Sequence, residues 1–169
     1  PAIDLNSIET MSNVCKQFPD FAYPMLGLHP EEVKADYREV LEKMKAVLLA
    51  DHNYIAVGEV GLDFYWSREF EKEQLEAFEE QVKWSVETRL PLMIHCRKAQ
   101  NEMVKILRKY QDQLPGGVFH CFTGNEKEAA ELLTFNNFVL GIGGVLTFKK
   151  ANLPETLKSV PLKRIVLET

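Results

Sequence analysis

Four short apolar runs in this chain each carry an ionisable side chain at or near the C-terminal end. His29, Glu59, His95 and His120, followed by Gly143, recur at intervals of 30, 36, 25 and 23 residues. Between them lie longer amphipathic stretches, so short buried strands alternate with helices. The strand candidates are Ala22–His29, Tyr54–Leu62, Pro91–Cys96, Val118–Phe122, Phe138–Gly144 and Arg164–Thr169. The helix candidates are Ile8–Phe18, Glu31–Ala50, Arg68–Leu90, Lys98–Leu114, Glu126–Phe135 and a short one over Pro154–Val160. Such alternation predicts a parallel sheet covered by helices. A TIM (β/α)8 barrel of about 250 residues averages roughly 31 residues per unit. Six of its eight strands are expected here, in a single barrel domain over residues 1–169 that is incomplete at both ends. The first helix has no strand before it.

Composition sets the outer limits. Apolar residues make up 46% of the 169 residues and charged residues 27%, which fits a globular chain and not a disordered or fibrous one. No apolar run approaches the roughly 18–20 residues that cross a bilayer, and no signal peptide is visible. Cys15, Cys96 and Cys121 are odd in number and lack disulfide or zinc-finger spacing, which predicts thiols in a reducing, cytoplasmic setting. A net charge of −5 argues against a broad basic face that coats duplex DNA. It leaves room for a nuclease whose cations neutralise phosphates. One stretch runs positive, with Lys149, Lys150, Lys158, Lys163 and Arg164 around Glu155.

In a TIM barrel the C-terminal ends of the strands carry the active site. Glu59, His95 and His120 each lie near such an end. Side chains alternate along a strand, so Glu59 shares a parity with Asp63 and His95 with Arg97. If the imidazoles point into the mouth, Cys96 and Cys121 point toward the helices as packing residues. Two neutral imidazoles and a carboxylate suit Zn²⁺ or Mn²⁺, and Mg²⁺ where carboxylate and water dominate. A metal so held lowers the pKa of water toward neutrality, and a carboxylate such as Glu59 can bridge two ions. On pattern alone, a metal site and a set of ordinary hydrogen-bonded residues stand side by side.

Longer motifs add to this. GEVGLDFYW (Gly58–Trp66), followed by Gln74 and Phe78, resembles the TatD family's GEIGLD signature and its trailing Q…F helix. LPLMIHCRKA (Leu90–Ala99) and GVFHCFTGN (Gly117–Asn125) resemble the second and third signatures, and GLHP (Gly27–Pro30) and VLET (Val166–Thr169) match in place and order. The resemblance implies a metal-dependent hydrolase on a (β/α)8 barrel, typically a deoxyribonuclease. It implies Glu59, His95 and His120 as metal ligands, with Glu59 catalytic and two divalent cations (Mg, Mn or Zn) per complete site. The family's His-x-His pair and the Asp that follows Glu-Thr have no counterpart here. The expected substrate is DNA, single-stranded or attacked from an end, with no membrane and no obligate protein partner. The rivals are a barrel hydrolase of a small ester, lactone or amide, and an inactive fragment.

Other residues carry open alternatives. Arg97 is read as a phosphate clamp or as a rim salt bridge. His29 is read as structural or as touching substrate, and Asp63 as an orienting partner for a ligating imidazole or as a turn cap. Phe64, Tyr65 and Trp66 either pack a rim loop on the next helix or stack nucleobases. His52, between Asp51 and Asn53, is expected to be solvated.

Overall fold

The computed structural model describes residues 1–168, in two compact units, Pro1–Pro115 and the residues from Gly116 onward. The first unit contains α1 (Ser7–Gln17), β1 (Met25–Leu26), α2 (Tyr37–Ala50), β2 (Ala56–Asp63), α3 (Glu71–Thr88), β3 (Leu92–Arg97) and α4 (Gln100–Arg108). The second contains β4 (Gly117–Phe119), α5 (Glu126–Leu132), β5 (Phe138–Ile142), α6 (Leu153–Leu157) and β6 (Ile165–Leu167). In the first unit β1 pairs β2 and β2 pairs β3. In the second β4 pairs β5 and β5 pairs β6. Every one of these ladders is parallel.

A parallel strand covered on both faces reads as a continuous apolar run. β2 shows this: of its residues only Glu59 is less than fully buried. Against it lies α3, whose buried Gln74, Ala77, Phe78, Gln81, Val82 and Ser85 follow the spacing of one helical face. Two of these are amides. Gln81 Oε1 accepts the Leu28 N–H at 2.6 Å while its Nε2 donates to the Leu28 carbonyl at 3.2 Å. Gln74 does the same for Asp63, at 2.9 and 3.2 Å. The end of β2 and the residue before His29 are thus tied to one helix.

In the second unit the core is aromatic. Phe119 stacks on Phe138 with centroids 5.0 Å apart, and Phe135 closes the cluster. Arg164 is not a solvated cation of a basic stretch. Its guanidinium donates to the carbonyls of Leu133, Phe135 and Phe138, filling acceptors left where α5 ends. Lys158 pairs with Glu155 at 2.8 Å.

Several element boundaries differ from expectation for local reasons. The strand expected over Ala22–His29 has a two-residue ladder with β2, because Pro24 offers no N–H. Its other edge receives Ala2 and Ile3, with the Gly27 N–H donating to the Ala2 carbonyl and the His29 N–H to that of Ile3. No strand precedes α1 among the described residues, as expected, although Ala2 makes a single parallel bridge with Leu26. The helix expected from Glu31 begins at Tyr37, since Pro30–Glu32 forms a single 3-10 turn and Val33 turns extended to bury its side chain. Left-handed backbone at Lys98 and Arg89 delays α4 and ends α3. Of the strand expected over Arg164–Thr169, Thr169 lies outside the described residues. Among the described residues no helix is long and apolar enough to cross a membrane.

The amide clamps make a prediction. Gln81→Leu keeps the volume but leaves the Leu28 N–H and C=O unsatisfied in a buried place. Stability should fall by about 3 kcal/mol, read from urea unfolding of the full-length protein. A loss under about 0.5 kcal/mol would show that the clamp is dispensable.

Candidate metal centre

The site in the first unit begins with a fault in a ladder. Val57 pairs with Leu92 and Val60 with Ile94, so three steps along β2 match two along β3. The extra residue lies at Gly58–Glu59, where the peptide is cis. A bulge of this kind re-aims a side chain out of the regular alternation. Beyond it Gly61 sits opposite His95 with φ 145°, in a conformation that strains any residue with a Cβ. A Cβ there would also collide with the His95 carbonyl. Glycine at 61 thereby lets β2 and β3 approach closely beside Glu59.

Glu59 Oε1 stands 3.2 Å from His95 Nδ1 and 3.5 Å from His29 Nε2, and the two imidazoles lie 4.8 Å apart at a 59° tilt. His95 Nε2 lies 2.8 Å from Asp63 Oδ2, a carboxylate only 1% exposed. Asp63 Oδ1 accepts the Tyr65 N–H at 2.9 Å. Burial disfavours a charged His95, but hydrogen bonds to Glu59 and Asp63 and their negative charges outweigh it and hold its pKa above the ordinary histidine value.

These contacts assign the ring protons. A buried aspartate accepts, so the proton of a neutral His95 belongs on Nε2 and the Nδ1 lone pair faces Glu59. A cation with bonds of about 2.1 Å holds adjacent ligand atoms roughly 3.0–3.4 Å apart. The 3.2 Å between Glu59 Oε1 and His95 Nδ1 fits that spacing. His29 is set the opposite way. Its Nδ1 accepts the Glu31 N–H at 3.2 Å, so the proton sits on Nε2 and points at Glu59. His29, Glu59 and His95 offer ligand atoms within 4.8 Å of one another. The tautomer makes His29 a hydrogen-bond donor to the carboxylate rather than a third ligand.

The second unit holds His120 just beyond the end of β4. Its Nδ1 lies 2.8 Å from Glu168 Oε2, while the other carboxylate oxygen accepts the Cys121 N–H. A Cβ on Gly141 would come within 2.5–2.6 Å of the Glu168 carboxylate, so glycine makes room for it. With Nδ1–H directed at Glu168, Nε2 is the lone-pair nitrogen of His120.

The expected residues thus fall as follows. Glu59, His95, Asp63 and His29 come together in the first unit. Asp63 both orients an imidazole and caps a turn. Arg97, two residues past His95 on β3, lies with its guanidinium 3.7 Å over the Tyr65 ring and 5.3 Å from that of Trp66, and not in a salt bridge among the described residues. His120 belongs to the second unit and faces Glu168. Cys121 is exposed on left-handed backbone past the end of β4, and is not the packing residue expected. His52 is exposed, as expected. Sequence reasoning missed Glu168 and Gln81. Glu168 carried the same signal as Glu59, an acid set in an apolar run, and Gln81 lay on the apolar stripe one heptad after Gln74.

The family described as TatD related DNase matches residues 1–169. The chain is 38% identical over 151 residues to a Bacillus subtilis protein named uncharacterized metal-dependent hydrolase YabD, covering 89% of this chain and 58% of that one. It is 36% identical over 145 residues to the 3′-5′ ssDNA/RNA exonuclease TatD of Cronobacter sakazakii, covering 85% and 54%. The crystal structure of YjjV, a TatD homolog of Escherichia coli, superposes with a TM-score of 0.91 at 25% identity, over the whole of this chain and 65% of that one. The chain therefore spans between about half and two thirds of the length of these relatives. The parallel α/β, TIM-barrel class expected from the alternation is the fold they share.

Asp63→Asn tests the assigned protons. The Tyr65 N–H keeps the amide oxygen facing it, which turns the amide NH₂ toward His95 Nε2. The ring proton must then move to Nδ1, the nitrogen facing Glu59. Zn²⁺ or Mn²⁺ affinity should fall about 10- to 100-fold, measured by competition with a chromophoric chelator. Wild-type affinity would contradict the assignment.

Proposed function

The chain belongs to the TatD-related DNase family, and from that premise we propose that the full-length protein is a metal-dependent hydrolase of DNA phosphodiester bonds, acting on single strands from an end. The observation that carries the reading is the 3.2 Å approach of Glu59 to a His95 whose other nitrogen is held by a buried aspartate. That is the arrangement of a metal-ligating imidazole with its orienting carboxylate. The relatives named as 3′-5′ ssDNA/RNA exonucleases support the substrate class. The proposal includes a single TIM-barrel domain over residues 1–169 and two cations per complete site, Mg²⁺, Mn²⁺ or Zn²⁺.

Glu59 would hold the cation, and its two oxygens allow it to bridge a pair. His95 would bind through Nδ1, and His120 through Nε2 with Glu168 as its orienting partner. A divalent cation bound there polarises a phosphoryl oxygen and lowers the pKa of water. His29 keeps its Nε2–H on the Glu59 carboxylate and thereby fixes which lone pairs of that carboxylate remain for other partners.

The test uses the full-length protein stripped by chelator and resupplied with each cation, with nucleotide release from single-stranded DNA as the readout. Release should stop in excess chelator and return with metal. It should fall by at least about 100-fold in Glu59→Ala, and His120→Ala should lose metal as well as activity. Undiminished hydrolysis in chelator refutes the metal role. Cleavage of aryl esters or lactones with DNA untouched would move the function to the small-substrate rival.

A further inference from the structure

The aromatic run after β2 does not behave as one packing unit. Phe64 is buried, with Arg68 over its ring at 4.9 Å, whereas Tyr65 is 48% and Trp66 70% exposed. The two exposed rings meet edge to face with centroids 4.7 Å apart. Burial does not account for two large rings held in water in a defined geometry. Arg97 lies over the Tyr65 face at 3.7 Å, which immobilises both groups and engages the flat of the guanidinium rather than its N–H edge.

Position gives this cluster its meaning. The Tyr65 N–H is bonded to one oxygen of Asp63 while the other holds His95. Arg97 follows His95 by two residues on the same strand, a step of about 6.6 Å. The aromatic pair is therefore anchored to the same carboxylate that orients the candidate metal ligand.

We propose that Trp66 and Tyr65, braced by Arg97, form a stacking platform for the unpaired bases of single-stranded nucleic acid beside the Glu59–His95 pair. The proposal rests on the nuclease reading above. Every base has a π face, so stacking accepts any sequence, and a paired base has no face to offer. The platform selects single strands without base-edge hydrogen bonds. The Arg97 N–H edge suits a phosphate of the same strand. An aromatic pair suited to a protein partner would discriminate neither between based and abasic strands nor between single strands and duplex.

The experiment compares two fluorescently labelled oligonucleotides of equal length, one oligothymidylate and one with abasic residues at its two 3′-terminal positions. Binding to the full-length protein is measured by anisotropy in excess chelator, so that neither is cleaved. The wild type should prefer the based strand by about 10- to 100-fold. Trp66→Ala should bring that ratio near unity, and Trp66→Phe, which keeps a π face, should retain most of it. Circular dichroism checks that the exposed substitution leaves the fold intact. No preference in the wild type, or an undiminished one in a folded Trp66→Ala, overturns the platform. The nuclease reading fails separately, if the metal-loaded wild type cleaves neither strand, whatever the binding ratio shows.

Discussion

A carboxylate removed from water must have its lone pairs taken up by donors, because an unpaired buried charge is far more costly than any contact it displaces. Asp63 is in that position, and it fixes the neighbourhood. One oxygen holds His95 Nε2, the other holds the Tyr65 N–H, and the backbone of the same residue is gripped by Gln74. Each bond constrains a different element: β3 through His95, the loop after β2 through Tyr65, and α3 through Gln74. The tautomer of His95, the direction in which the aromatic run leaves β2 and the seating of α3 are all consequences of satisfying one aspartate.

The second requirement is that the strand ends stay where the site needs them. A parallel strand has no hairpin to hold its end, and the backbone groups past the last ladder pair need other partners. A glutamine amide carries an acceptor and a donor on one flat group, so it can pair with the N–H and C=O of a single residue as a neighbouring strand would. Gln74 and Gln81 stand seven residues apart, two helical turns along one face, and reach Asp63 and Leu28. Leu28 immediately precedes His29. One rigid helix thus sets the positions of both the residue that orients His95 and the residue that donates to Glu59.

The parts of this legible in the sequence were those written as pattern. Alternating apolar runs and amphipathic stretches marked six strands, and Glu59 and His95 stood out as ionisable groups set within apolar runs. What pattern does not encode is geometry made by the backbone. The extra residue at Gly58–Glu59 is invisible to period-two counting, yet it aims Glu59. The tautomer of His29 depends on one N–H of Glu31 in a 3-10 turn. The pairing of Ala2 and Ile3 beside β1 escaped because two residues are too few to show alternation. Gln81 escaped because a buried amide among apolar neighbours reads as an interruption of the stripe, not as its most specific member. Glu168 escaped because its partner His120 lies 48 residues away in sequence and no local period links the two.

The charge distribution constrains how such a site can engage a polyanion. The chain carries −5 overall, and two cations of its one basic stretch are already engaged, Arg164 on three carbonyls and Lys158 on Glu155. Attraction for phosphates through many released counterions needs a basic face, and this sequence does not provide the net charge for one. In the proposed reading the work is divided instead between cations at Glu59 and His95, which carry positive charge only to the scissile position, and exposed aromatic rings that act at contact distance. Stacking is short-ranged and indifferent to ionic strength compared with phosphate pairing. It also requires bases already out of a duplex. On that proposal the arrangement would give up long-range steering along duplex DNA and gain selectivity for unpaired ends, the form of substrate on which exposed stacking rings can act.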